Sequence, residues 1–163
     1  MVLFASAACG MASGCERSGD VSSARAPQEA ENVKAYRKAW RAWRAGGKLR
    51  APLRRIARVR APWMIPEGEV WRTALTAAGS AQTQLHLLSP HCYRIVWVTD
   101  SRRPVTGLLY DARSSLVAQD ESRQGTGVLG RQDAICPTHN ALFRIELEST
   151  ASGFALVQLV RSM

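Results

Sequence analysis

Two cysteines in the second half of the chain carry the most sharply defined chemistry in the sequence. Cys92 begins one apolar run and Cys136 ends another. In an exported protein, the usual fate of such a pair is a disulfide. In the chain-entropy model, closing a loop of about 45 residues stabilises a fold by about 4 kcal/mol. The sequence therefore predicts a disulfide between Cys92 and Cys136 if the chain is exported.

The same residues offer a second interpretation, a structural zinc site. His91 and Cys92, together with Cys136 and His139, supply two sulfurs and two imidazoles, which is a ligand set that zinc accepts. Consecutive residues on a strand point to opposite faces, so His91 and Cys92 need a turn before both can bind one ion. We therefore rank the zinc site and a pair of free thiols behind the disulfide, and we expect no metal.

Residues that could carry catalysis are few. The sequence has no Gly-x-Ser-x-Gly elbow, no phosphate-binding glycine loop and no His-Glu-x-x-His run. His86 alternates onto a polar strand face, and Asp120 and Glu121 lie in a polar stretch without the burial that an acid/base pair needs. These patterns predict a protein with no catalytic site and no cofactor. A small hydrolase whose residues meet only in space remains an alternative.

Short apolar runs that alternate with polar residues dominate the chain after residue 68. The pattern places Tyr93, Ile95 and Trp97 on one face of a strand, and it buries Phe143 and Ile145 on another. Short strands separated by turns predict a mainly β, antiparallel sandwich or barrel over residues 68–163. No long helical pattern interrupts the runs, so we do not expect a parallel βαβ arrangement. The predicted strands and strand pieces are residues 82–88, 92–99, 105–110, 115–119, 128–129, 134–136, 141–148 and 154–160.

The order of motifs in this region carries a family resemblance. The motifs are Cys-Tyr-Arg-Ile at 92–95, Leu-Val-Ala-Gln-Asp at 116–120, Val-Leu-Gly at 128–130 and Ile-Cys-Pro at 135–137. Over residues 83–160 the chain resembles β-sandwich domains of the bacterial pre-peptidase C-terminal type. The resemblance implies a jelly-roll-like, non-catalytic accessory or binding module. It does not extend to calcium binding at Asp111 or Asp120, because residues 105–110 lack the Asp-rich strand of that family.

The first fifteen residues are small or apolar and uncharged, as in the later part of a secretory signal. The run Ala-Ser-Gly-Cys at 12–15 is similar to the lipobox of bacterial lipoproteins, in which the cysteine is lipidated and becomes the mature N-terminus. That similarity implies lipidation of Cys15, with Cys9 as the fallback. The alternative is a disordered N-terminus with two incidental thiols. We expect an exported protein, lipid-anchored in the cell envelope (periplasm or outer membrane) or secreted.

Residues 16–67 are predicted to form a tether followed by a basic helical segment. Residues 16–26 are polar and small, which is typical of a flexible linker. Helix-favouring residues run from Pro27 to Ala45, and Gly46 with Gly47 ends them. Pro52 and Pro62 limit a second helix to about two turns. Residues 61–69, which include Pro62 and Pro66, are predicted to form a domain boundary.

Positive charge is concentrated in this segment. Residues 1–67 hold 13 Lys and Arg against 5 Asp and Glu, a net charge of +8, whereas residues 68–163 hold 9 against 8, a net charge of +1. The segment suits an anionic membrane surface, where indoles lie at the headgroups, and also nucleic acid. In a third interpretation, the tryptophans pack on the sandwich and the bases are solvated. The candidate surface-binding residues are Lys34, Arg37, Lys38, Arg41, Arg44, Arg54, Arg55, Arg58, Arg60, Trp40 and Trp43.

Together these patterns predict a non-catalytic cell-envelope lipoprotein or secreted interaction module. The sandwich is expected to bind a protein or glycan partner, and the basic segment is expected to contact an anionic surface. Nucleic-acid binding through residues 34–60 ranks lower, because export separates the chain from nucleic acid.

Overall fold

The computed structural model of the protein describes residues 25–42, 49–101, 103–122 and 124–163. These ranges hold two helices followed by eight strands. The helices and strands are α1 (Arg25–Ala42), α2 (Arg50–Arg60), β1 (Ile65–Leu75), β2 (Gly79–Leu87), β3 (Tyr93–Thr99), β4 (Val105–Tyr110), β5 (Leu116–Glu121), β6 (Thr126–Leu129), β7 (Ala141–Ser149) and β8 (Gly153–Arg161).

The strands form two antiparallel sheets of four strands each, which confirms the predicted β-sandwich. One sheet has the order β1-β8-β3-β6, and we call it the covered sheet because both helices pack on its outer face. The other has the order β2-β7-β4-β5, and we call it the open sheet. The predicted strands at 82–88, 92–99, 105–110, 115–119, 141–148 and 154–160 correspond to β2, β3, β4, β5, β7 and β8.

Strand β1 was not predicted, and it begins inside the segment that reads as a boundary. Two features of β1 obscure the strand pattern in the sequence. Pro66 near its start is tolerated because β1 is an edge strand. Its register with β8 shifts between Glu67 and Trp71, so the alternation of apolar residues is broken. Buried Gln158 of β8 supports this irregularity by donating a hydrogen bond of 2.9 Å to the Glu67 carbonyl.

Two further boundaries differ from the prediction. The polar stretch 120–127 is not a continuous loop, because Asp120 and Glu121 end β5 and Thr126 already begins β6. Helix α2 spans 11 residues, about three turns rather than two. Pro52 lies within its first turn, where a missing N–H removes no helical hydrogen bond, so the helix starts before the proline instead of after it.

The inner core between the two sheets is organised around Trp97. The indole is fully buried and lies against two glycines, Gly127 beside it in the covered sheet and Gly107 on β4 of the open sheet. A Cβ placed on Gly127 would lie 2.0 Å from Cζ2 of Trp97, and one placed on Gly107 would lie 2.6 Å from Cη2. Both strands therefore need glycine where the indole crosses between the sheets.

The outer core lies between the covered sheet and the helices. Leu53 and Ala57 of α2 are fully buried, and their spacing of four places them on one side of the helix. They join Val96 and Val98 of β3 in one apolar cluster. Strand β3 is thus buried on both faces, and β8 lies between β1 and β3 beneath the same helices, as its continuous apolar run predicts.

We predict that Gly127→Ala lowers the free energy of unfolding by about 1–3 kcal/mol, because the added methyl group overpacks the Trp97 site. Urea denaturation followed by far-UV circular dichroism measures the change. In a Trp97→Phe background the smaller ring does not reach the positions of Cζ2 and Cη2, so the same substitution is expected to cost less. An equal cost in both backgrounds would show that the clash is not with the indole.

Candidate functional site

The outer surface of the two helices carries most of the predicted basic residues. The exposed members are Lys34, Arg37, Lys38, Arg55, Arg58 and Arg60. Arg54 is half-buried, and its Nε atom is enclosed by the protein. Trp43, Arg44, Cys15 and the side chain of Arg41 lie outside the described residues. The predicted bases whose side chains the structure describes are therefore exposed on the helices, except for half-buried Arg54.

Trp40 faces the protein and not the solvent. Only 1% of its surface is exposed, and its Nε1 donates a hydrogen bond of 3.1 Å to the carbonyl of Met64. The indole packs in the same cluster as Leu53 and Val160. Trp40 therefore holds α1 on the covered sheet, as in the packing interpretation. Its burial contradicts the prediction that Trp40 contacts an anionic surface.

A different tryptophan reaches the solvent beside the bases. Trp63 is 61% exposed, and Val59 in the last turn of α2 is 66% exposed. The ring of Trp63 contacts that of Tyr36 on α1, with 5.6 Å between ring centroids. Val59 lies one helical turn from exposed Arg55, so the apolar and basic groups share one side of α2. The sequence did not predict that Val59 and Trp63 lie at this surface. The one signal in the sequence was a tryptophan directly after Pro62, outside any helical or strand pattern.

The backbone of Trp63 is unusual. Its φ of 63° is a left-handed conformation that costs a residue with a bulky side chain about 1–2 kcal/mol. Strained residues of this kind occur preferentially at binding sites. We call the exposed bases of the two helices, together with Val59 and Trp63, the basic aromatic face.

The opposite outer surface belongs to the open sheet and is chemically different. Arg144 lies at its centre, donating hydrogen bonds of 2.8 Å to Glu146 and 3.2 Å to the side-chain oxygen of Gln82. Its guanidinium also stacks over the ring of Tyr110, 4.4 Å from the centroid. Around this network lie polar and acidic residues of the same face: Ser80, Gln84, His86, Thr106, Gln119, Glu121 and Glu148.

A groove of about 620 Å³ opens at one end of the sandwich, between the β4–β5 turn and residues 133–139. Its floor is apolar and includes Ile135 and Phe143, whereas its rim carries Arg113, Asp133 and His139. An apolar floor with a few polar groups is the usual composition of a ligand site. Asp111, which also lines the groove, holds the turn: its Oδ1 accepts the N–H groups of Arg113 and Ser115 at 2.8 and 2.9 Å.

The disulfide fixes one wall of this groove. Cys92 and Cys136 are joined, which confirms the predicted disulfide and leaves neither sulfur to the zinc alternative. Next to it, Ile135 and Tyr93 exchange two backbone hydrogen bonds of 2.8 and 2.9 Å. The cystine and this bridge together anchor residues 135–136 to the start of β3.

The residues considered for catalysis lie apart in the fold. His86 is exposed on the open sheet. Asp120 has a structural contact, because its Oδ2 accepts the backbone N–H of Val128 at 2.8 Å and so links β5 to β6 across the sandwich. His139, considered only as a zinc ligand, is exposed and contacts the hydroxyl of Thr138 at 3.1 Å. Within the described ranges, no three His, Cys, Asp or Glu side chains are grouped so as to hold a metal ion.

Comparisons with known proteins add no further assignment. No protein-family model matches the chain, and no curated protein sequence matches it. None of the helices in the described ranges has the length and apolar character needed to span a bilayer.

We predict that replacing both cysteines, in Cys92→Ala/Cys136→Ala, lowers the free energy of unfolding by about 4 kcal/mol, because the unfolded chain gains the freedom of the opened loop. Urea titration in the presence and absence of dithiothreitol measures the loss. The reductant should destabilise the wild type by a similar amount and leave the double variant unchanged. A wild type that is insensitive to reductant would contradict a stabilising role of the disulfide.

Proposed function

We propose that this protein is a non-catalytic interaction module of the cell envelope, lipid-anchored or secreted, that contacts an anionic surface and presents a partner site on its far side. One observation carries the proposal. The basic aromatic face and the open sheet lie on opposite outer surfaces of the sandwich, so a molecule held by the first exposes the second. The partner on the open sheet is a protein or a glycan.

The composition of the basic aromatic face supports a membrane as the anionic surface. Exposed arginines attract lipid phosphates, and each base near such a surface contributes about 1 kcal/mol. Trp63 suits the headgroup level, and Val59 offers an aliphatic group that can enter the acyl boundary. Nucleic acid offers phosphates for the same bases, but an exposed aliphatic side chain gains little from contact with bases or sugars. The apolar pair therefore favours lipid.

Two features support export. A disulfide between Cys92 and Cys136 is typical of proteins in oxidising compartments. The lipobox-like run ending at Cys15 lies about ten residues before α1, so a lipid on that cysteine keeps the basic aromatic face close to the bilayer. Membrane binding through one lipid signal is marginal, whereas a lipid combined with a basic patch gives stable attachment.

The open sheet supports the partner site. Its network of Arg144, Glu146 and Gln82 offers hydrogen-bond donors and acceptors in fixed positions. The adjoining groove adds an apolar floor. Amides, carboxylates and a guanidinium pair equally well with peptide groups and with sugar hydroxyls, so both partner classes fit this surface. The resemblance to pre-peptidase C-terminal domains, which implies a binding module, agrees with this proposal.

We predict that Arg55→Glu/Arg58→Glu weakens binding to phosphatidylglycerol vesicles more than tenfold, because two charges near the surface change sign. Co-sedimentation at fixed salt measures the affinity, and neutral phosphatidylcholine vesicles give the background. The matched control is Arg103→Glu/Arg113→Glu, which makes the same change in net charge on exposed residues away from the helices.

Trp63→Gly tests the aromatic part separately, because glycine adopts the left-handed backbone of Trp63 without cost. The variant should fold like the wild type but bind anionic vesicles more weakly.

Two outcomes would contradict the membrane proposal. Equal loss of binding in Arg55→Glu/Arg58→Glu and in Arg103→Glu/Arg113→Glu would show that net charge, and not this face, drives binding. Retention on duplex DNA without vesicle binding would replace the membrane proposal by the nucleic-acid alternative.

A further inference from the structure

The sandwich has edge strands on both sheets, and most of them are protected against pairing with another chain. In the described part of the protein, the edges are β1 and β6 of the covered sheet and β2 and β5 of the open sheet. Unpaired edges invite association, which proteins prevent with prolines, bulges, charges and short strands. Strand β1 has Pro66 and a register shift, and β5 has a shift opposite Tyr110 and two acidic residues. Strand β6 is only four residues long, and the backbone N–H of Val128 already donates a hydrogen bond to the carboxylate of Asp120.

Strand β2 has none of these protections. It is nine residues long and contains no proline, lysine, arginine or acid. Its register with β7 is continuous from Gly79 to Leu87. No strand of the described ranges pairs with its outer edge, and the side chains of Ser80, Gln82, Gln84 and His86 are exposed. A long, regular and uncharged edge of this kind is a pairing surface.

The ladder pattern shows which backbone groups this edge presents. Ser122 donates its N–H to the Val105 carbonyl at 2.8 Å, so the backbone groups of Val105 point towards β5. Because neighbours in an antiparallel strand alternate, Thr106 bonds to Glu148 of β7, and the groups of Leu147 point to β2. The same alternation leaves outward-pointing N–H and C=O groups on Ser80, Gln82, Gln84 and His86.

We propose that β2 pairs antiparallel with β2 of a second copy of this chain, about a two-fold axis at Thr83. In this register, Thr83 lies opposite its own copy and Gln82 lies opposite Gln84. Ala81 faces Leu85, and Ser80 faces His86. The glutamines carry outward backbone groups, so their pairs exchange main-chain hydrogen bonds, while the Thr83 pair is the non-bonded kind in which side chains lie closest.

The sequence of β2 is self-complementary in this register, which is the reason for choosing a second copy as the occupant. Small Ala81 faces large Leu85 on the core side, so the inner core continues across the seam. The Gln82 and Gln84 amides on the outer side can hydrogen-bond to each other. The strand carries no formal charge, so two copies of a chain with net charge +9 meet without like charges at the contact.

Pairing of this kind has a geometrical consequence. A two-fold axis between antiparallel strands of one sheet is perpendicular to the sheet, so both open sheets face one way and both helical layers face the other. The dimer has one continuous eight-stranded sheet. If the membrane proposal holds, both basic aromatic faces contact the same bilayer, which raises avidity. The dimer itself does not depend on that proposal.

Sedimentation velocity of the full chain tests the inference, in a density-matched detergent so that an acyl anchor does not drive association. The wild type should show a dimer that dissociates on dilution. Gln82→Lys/Gln84→Lys places lysine opposite lysine at both pairs and should be monomeric. Gln82→Lys/Gln84→Glu places lysine opposite glutamate and should restore the dimer. A wild type that stays monomeric up to its solubility limit, or a double-lysine variant that still dimerises, would overturn the proposal.

A cross-link tests the register independently. Thr83→Cys should form an intermolecular disulfide under mild oxidation, because Cα atoms of a non-bonded antiparallel pair are about 4.5 Å apart, within the range that a disulfide spans. Gln119→Cys on β5, an exposed position on the other edge of the open sheet, is the control and should not cross-link above background. Equal cross-linking at both positions would show random collision and not a defined pair. A dimer captured only through another strand would also contradict pairing through β2.

Discussion

The fold depends on two central strands that are apolar on both faces. Strands β3 and β8 direct Trp97 and Val157 towards the open sheet, and Val96 and Leu156 towards the helices. A sheet with this composition requires a packed layer on each side, because any uncovered side would expose contiguous apolar surface. The second sheet provides one layer, and α1 and α2 provide the other. The helical segment is therefore part of the folded unit, held by Leu53, Ala57 and Trp40, and its bases point outward because its apolar side is already occupied.

The open sheet obeys a different pattern and needs only one layer. In β7, Phe143, Ile145 and Leu147 face the core, while Arg144 and Glu146 alternate with them on the outside. An alternating strand is stable with one face in water, so no helix is required there. The contrast between uniformly apolar and alternating strands thus decides which side of the sandwich is covered. The same contrast separates the basic aromatic face from the polar outer face of the open sheet.

Much of this architecture follows from the sequence because period-two patterns are local. The strands with intact alternation or continuous β-branched runs, such as β3 and β7, were predicted at nearly their observed positions. Strand β1 was not predicted, because its register shift and Pro66 break the alternation of apolar and polar residues that identifies a strand. The cystine could be predicted because Cys92 and Cys136 lie at the ends of predicted strands and because the chain is expected to be exported. The groove beside it could not, since its floor and rim come from separate segments that meet only in the folded chain.

The two tryptophans show most clearly where sequence reasoning reaches its limit. Helical spacing establishes that Tyr36 and Trp40 share a face, but it does not say whether that face meets water, lipid or a sheet. The answer depends on β3 and β8, more than fifty residues away in the sequence, which need cover and therefore take Trp40. Trp63 has no periodic neighbours that could recruit it into a core, and it occupies a left-handed position at the end of α2. The central strands need a covering layer, and this need explains why Trp40 is buried. It does not act on Trp63, which stays largely exposed and strained beside the arginines of α2.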